Sequence, residues 1–186
     1  FVQVRIIGKK ILSHVPDRLA VWILSNTTAL FVSPLRIKLR DRSVQVMERR
    51  DLVARLRKGA VVSGFDYEHG YEVPFSELFI SMLGSGSVLL DVGASHGLYG
   101  VIAGQYMLPK NIHCFEPDPL ARQILRINNN RYCKAQMNIV PRFVVATSQM
   151  RGGVTLDDYC NQNNIKPTLV KMDIEGAETE AVLGME

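Results

Sequence analysis

The stretch Leu90-Asp91-Val92-Gly93-Ala94-Ser95-His96-Gly97 constrains this chain more than any other. It begins as the end of a short apolar run, Ser87-Val88-Leu89-Leu90, meets an acid, and enters a turn bounded by two glycines. The pattern recurs downstream. Residues 111–116 end in Glu116 and residues 168–173 end in Asp173, with a further apolar run, Ile139 to Ala146, between them. Helical stretches separate these runs. Asp118-Pro119 supplies an N-cap and a first-turn proline, and Leu120, Ile124 and Ile127 give the helix that follows its apolar stripe. Buried apolar strands alternating with helices require a parallel sheet covered on both faces. In such sheets ligands bind beyond the carboxyl ends of the strands, where Asp91, Glu116 and Asp173 sit.

The turn itself narrows the ligand. A dinucleotide fingerprint, G-x-G-x-x-G, lets backbone approach a pyrophosphate. Here the glycines are Gly93 and Gly97, and Ser95 stands where the middle glycine would be, so pyrophosphate is disfavoured. An acid before the turn suits a cationic ammonium, and a helix start after Gly97 suits a carboxylate. An amino acid carries both groups; joined to a nucleoside it is S-adenosylmethionine. Glu116, 25 residues after Asp91, is at the right strand end to accept hydrogen bonds from ribose hydroxyls.

Four stretches taken in order resemble the FkbM-type family of S-adenosylmethionine-dependent methyltransferases. They are residues 90–97, Phe115-Glu116-Pro117-Asp118-Pro119, Val154-Thr155-Leu156-Asp157-Asp158-Tyr159, and Val170-Lys171-Met172-Asp173-Ile174-Glu175-Gly176-Ala177-Glu178. The resemblance spans residues 71–120 and 154–184. It implies a Rossmann-like methyltransferase fold with a mostly parallel sheet, and methyl transfer to a hydroxyl of a sugar, glycan or natural product. It implies cofactor contacts at Asp91, Gly93, Ala94, Ser95, Gly97, Glu116, Pro117, Asp118, Thr147 and Asp173. Only six residues separate Ser148 from Thr155, where the family has a longer stretch, and the family's C-terminal strands are expected beyond Glu186.

For a general base, Asp173 is the first candidate by its strand-end position, followed by His96, with its near-neutral side chain, and Glu175. Thr155 and Asp158 fit a capping box. Lys171, inside an apolar strand, is expected to pair with a neighbouring acid or to reach the site. Glu178 reads as helix surface, His113 and Trp22 as core.

The front of the chain differs in charge. Residues 1–60 carry 13 Lys/Arg against 4 Asp/Glu, whereas residues 61–186 carry 9 against 14. Residues 1–60 read as a basic appendage of helices and a β-hairpin, joined to a Rossmann-like domain over residues 61–186. Helical pieces are expected within residues 1–30, a hairpin over 35–47, a short amphipathic helix over 51–58, a loop at 67–71 and a helix over 75–83. A basic face can meet phosphate or anionic lipid. The rivals to the enzyme are therefore a non-catalytic binding module using that face, and a nucleotide-dependent enzyme such as a dehydrogenase. Arg36, Lys38 and Arg40 have little aromatic interleaving, which gives no signal for stacking of single-stranded nucleic acid. Cys114, Cys133 and Cys160 form no CxxC pair, so neither a disulfide scaffold nor a cysteine zinc site is expected, no metal is assigned, and the cytoplasm is the default compartment. The most apolar stretch, Leu19 to Leu35, is interrupted by Ser25-Asn26-Thr27-Thr28, short of what a bilayer span needs.

Overall fold

The computed structural model describes residues 32–39, 42–49, 65–66, 70–71, 73–133, 136–147 and 152–185. The helices expected within 1–30 and over 51–58, and Trp22, lie outside them. Strands β1 (Val32–Lys38) and β2 (Ser43–Arg49) form an antiparallel hairpin, longer at both ends than the expected 35–47. Two-residue strands β3 (Phe65–Asp66) and β4 (Gly70–Tyr71) pair antiparallel, so the loop expected over 67–71 closes two residues earlier. Helix α1 (Val73–Ser81) begins two residues before the expected 75, with Pro74 in its first turn, where the missing N–H costs no intrahelical bond.

The centre is a four-stranded, fully parallel sheet: β5 (Leu89–Val92), β6 (Ile112–Phe115), β7 (Asn138–Val140) and β10 (Leu169–Met172), in the order β10-β5-β6-β7. Helices α2 (Leu98–Ala103), α3 (Pro119–Tyr132) and α4 (Leu156–Asn163) connect it, and α5 (Glu178–Val182) follows β10. This is an α/β arrangement compatible with a Rossmann-like fold. The expected strand Ile139 to Ala146 is broken. Its first part is β7; Pro141 and Arg142 intervene, and β8 (Phe143–Val144) pairs instead with β9 (Gly153–Val154). Proline has no N–H to donate to a ladder, which ends the run there.

Side-chain alternation sorts the sheet into two cores. Leu89, Ile112, Cys114 and half-buried Ile139 and Leu169 face one way, against Tyr99, Val101, Ile102 and Ala103 at α2, Phe79 of α1 and the inner face of the hairpin, Leu35, Ile37, Val44 and Val46. Leu90, Val92, Phe115 and Val140 face the other way, onto Leu156 and Ala181. The hairpin thus shares its core with the sheet. Its outer face carries exposed Arg36 and Lys38.

Asp118 caps α3 as expected, its Oδ1 accepting from Ala121 N at 2.7 Å. The helix buries Ile124, Leu125, Asn128 and Asn129 and packs half-buried Ile127 with Ile124 against Val32 and Met47, so the expected stripe faces the core except at exposed Leu120. Thr155 likewise caps α4 by accepting from Asp158 N at 3.0 Å. Among the described residues, no helix is long and apolar enough to cross a membrane.

Candidate functional site

The chain runs from β5 outward through β6 to β7, and β10 returns on the opposite side of β5. The boundary between β5 and β10 is therefore a topological switch point, the place where open parallel sheets generally receive ligands. Residues 93–97 form one lip and residues 173–177 the other.

The first lip is shaped by glycine at two positions. Gly93 has φ 76°, and a Cβ there would lie 2.0 Å from the Asp173 carbonyl oxygen. The two loops can approach only because that side chain is absent. Gly97 has φ 81°, and a Cβ would meet Leu125 of α3 at 3.0 Å. Gly93 and Ala94 both donate to Phe115 O, at 3.1 and 3.0 Å, and Gly97 N donates to Ala94 O at 2.7 Å. Ser95, also left-handed at φ 48°, presents an exposed side chain.

Glu116 ties this lip to the next strand. Its Oε2 accepts from Ser95 N at 2.8 Å and its Oε1 from Asp118 N at 2.7 Å. Arg122 donates to the carbonyls of Glu116, at 2.9 Å, and of half-buried Pro117. Glu116 is 7% exposed. A carboxylate has about four lone-pair sites, so two remain for incoming hydroxyl groups.

Asp91 does something other than the expected ammonium contact. It is fully buried beneath the turn, and its Oδ1 lies 3.3 Å from the Lys171 ammonium. Neither of its oxygens accepts a well-formed hydrogen bond among the described residues. Burial pushes its carboxyl above the ordinary carboxylate value, partly offset by Lys171. A carboxylate with no exposed surface and its own internal counter-ion cannot grip a ligand cation, so Asp91 supports the site from behind. Lys171 also donates to Gly93 O at 3.2 Å, and its ammonium lies 5.2 Å from the centre of the Tyr99 ring.

His96 is likewise engaged. Its Nδ1 lies 2.6 and 2.8 Å from the two carboxylate oxygens of Glu48 on β2. Its carbonyl accepts from Asn128 Nδ2 at 2.6 Å. The same asparagine, fully buried, pairs with Met47 on the edge of β2, accepting from its N–H at 2.5 Å and donating to its carbonyl at 3.1 Å. One side chain therefore joins hairpin, helix and glycine turn.

The second lip carries exposed acids. Asp173 N continues the ladder to Val92 O at 3.0 Å, its carbonyl lies against Gly93, and the residue is exposed. Glu175 is exposed with φ 51°. Glu178, read from the sequence as helix surface, accepts from Ile174 N at 3.0 Å and Gly176 N at 2.8 Å. Its own N–H and these loop N–H groups hold its carboxyl below the ordinary range.

Asp91, Gly93, Ala94, Ser95, Gly97, Glu116, Pro117, Asp118 and Asp173 therefore lie on or directly behind adjoining loops. Thr147 is exposed beyond β8, and among the described residues no hydrogen bond or ion pair joins it to the others. His113 is a core residue, bonded through Nδ1 to the Tyr159 hydroxyl at 2.8 Å, and burial lowers its affinity for a proton. Among the described residues, no group of three or more His, Cys, Asp or Glu is arranged to hold a metal. Sequence reasoning missed Glu48, Arg122 and Asn128. For Asn128 a signal existed: three consecutive asparagines, 128–130, are poor helix formers, and their presence inside a helix calls for side-chain bonding work.

No protein-family model matches the chain, and no curated protein matches it.

Proposed function

We propose that this chain is an S-adenosylmethionine-dependent methyltransferase of the FkbM type, acting on a hydroxyl oxygen of a sugar, glycan or natural product. The observation that carries the reading is the switch point itself. A glycine turn lacking the middle glycine is bolted to a strand-end glutamate, and an exposed aspartate stands on the opposite lip. The donor set fits the cofactor. Glu116 keeps acceptor capacity for two ribose hydroxyls, Asp173 offers an exposed negative charge, and Ser95 is exposed on the turn between them, with Ala94 buried in the core beneath it. The exposed Ser95 side chain, where a pyrophosphate would need bare backbone, disfavours a dinucleotide.

When bound, the cofactor supplies a methyl group already activated on a sulfonium. The protein then has to hold the acceptor oxygen in line, and orientation of this kind lowers a barrier by roughly 7–11 kcal/mol. Asp173 is the residue best placed to take the hydroxyl proton, worth about 10²–10⁴-fold. Its carboxylate is exposed at the lip, whereas the His96 ring is held by Glu48. Glu175, also exposed, is second.

Calorimetric titration with S-adenosylhomocysteine tests the cofactor assignment. Wild type is expected to bind and Glu116→Ala to bind about tenfold more weakly or worse, the worth of one or two lost hydrogen bonds. Equal affinity would remove the ribose role. A rise in melting temperature with NAD and none with S-adenosylhomocysteine would overturn the reading. Asp173→Asn is expected to lower transfer of labelled methyl to sugar hydroxyls while S-adenosylhomocysteine still binds; unchanged turnover removes Asp173 as the base.

A further inference from the structure

On the face of β5 and of its end-strand neighbour β10 that carries Leu89 and Leu169, the next pair is charged: Asp91 and Lys171, which are 0% and 7% exposed. They occupy the same register position on adjacent strands, so their side chains emerge on the same face of the sheet. A buried ion pair of this kind contributes little net stability, because desolvation of both charges consumes most of their attraction. Apolar neighbours of similar volume would serve the core as well. The geometry shows what apolar neighbours could not do: the Lys171 ammonium also donates to Gly93 O, the carbonyl at the start of the turn.

We infer that Lys171 is a positioning residue, which holds the Gly93 carbonyl and so sets the glycine turn in the shape that receives the ligand, with Asp91 as the counter-ion that lets a lysine be buried there. The ammonium has three protons. Gly93 O takes one at 3.2 Å, Asp91 Oδ1 faces the nitrogen at 3.3 Å, and the Tyr99 ring lies to another side at 5.2 Å. Every partner is a residue of the turn, the strand that feeds it, or the helix that leaves it. Lys171 is also two residues before Asp173, so one strand end supports one lip from behind and carries the acid of the other. The inference rests on the proposed ligand only for its functional readout.

The test compares Lys171→Met, Asp91→Asn and the apolar pair Asp91→Val/Lys171→Met in S-adenosylhomocysteine titration, thermal melting and hydrogen exchange at residues 93–97. Lys171→Met should melt lower, because it leaves a buried unpaired carboxylate. The apolar pair should recover the melting temperature but still bind about tenfold more weakly, the worth of one charge-assisted hydrogen bond, with faster exchange in the turn. Asp91→Asn should melt lower yet keep affinity, since Lys171 still donates to Gly93 O. A merely structural pair predicts the reverse: affinity and exchange protection return together with melting temperature in the apolar pair. That result overturns the inference, as does an Asp91→Asn variant that loses affinity while Lys171→Met keeps it. If wild type fails to bind S-adenosylhomocysteine, the methyltransferase reading falls by itself. Exchange at residues 93–97 in the apolar pair then decides the role of Lys171: faster than wild type supports it, equal protection overturns it.

Discussion

The loop after β5 and the loop after β10 leave neighbouring parallel strands and touch where Gly93 meets the Asp173 carbonyl, yet they are held in opposite ways. Residues 93–97 are fastened from three directions: by Phe115 O and Glu116 on β6 and its loop, by Lys171 from beneath, and by Asn128 and Glu48 from the helix and hairpin. Residues 173–177 are exposed, apart from half-buried Ile174, and are bonded to the ladder through Asp173 N and to the carboxylate of Glu178. Under the methyltransferase reading proposed above, the contrast separates two tasks. A lip whose backbone contacts the ligand has to be rigid before the ligand arrives, because preorganised contacts cost nothing at the moment of binding. A lip that carries acids for the acceptor has to leave them in reach of solvent and substrate.

Four perturbations would break or sharpen that contrast. The largest effect is expected from Gly93→Ala, which forces a Cβ into the Asp173 carbonyl and pushes the two lips apart. It should cost about 4 kcal/mol and lower Tm by about 10 °C in thermal melts; a loss under 1 kcal/mol would show that the lips do not abut. Asn128→Leu should follow, at about 2–3 kcal/mol in denaturant unfolding, by stripping bonds from Met47 and His96. Exchange at Met47, whose N–H loses its acceptor, and at Gly97, whose amide shares the peptide with the His96 carbonyl, should quicken together in that variant, and uncoupled responses would contradict a shared clamp. Gly97→Ala should cost about 1–2 kcal/mol, since it meets the flexible Leu125 side chain rather than backbone.

The smallest effect belongs to the second lip. The Glu178 carboxyl is held below its ordinary value of 4.5, so its hold on Ile174 and Gly176 is complete above that pH and is lost as pH falls through the lower, folded-state value. Hydrogen exchange at Ile174 and Gly176, corrected for its intrinsic pH dependence, should become less protected on acidification. Glu178→Gln should remove that dependence while leaving residues 93–97 protected. A simultaneous change in both lips would mean that they are one mechanical unit.

Much of the sheet was legible because its signals are local. Three apolar runs at the expected places and the first part of a fourth, Asp118-Pro119 at a helix start and Thr155 as a cap each depend on neighbours within a few residues. Gly93 and Gly97 were legible as turn positions for the same reason. The strand expected over Ile139 to Ala146 failed at Pro141, a local signal outweighed by the apolar residues around it. Ile124 and Ile127 of the expected α3 stripe do face the core, but Asn128 and Asn129 share that face unforeseen because they are buried by bonding rather than by apolarity.

The sequence by itself determined that acids would stand at or next to strand ends beside a glycine turn, since strand ends, turn residues and caps follow from short-range sterics and hydrogen bonding. Only the tertiary structure decided what each acid does. Asp91, Glu116 and Asp173 each close an apolar run in the sequence, yet Asp91 lies inside β5 and is buried against Lys171, Glu116 lies just past β6 with each oxygen accepting a backbone N–H, and Asp173 lies just past β10 and is exposed. The physical reason is that a carboxylate's role is set by its desolvation and by the donors around it, and beside the local Asp118 N–H those donors, Ser95 for Glu116 and Lys171 for Asp91, stand 21 and 80 positions away in the chain.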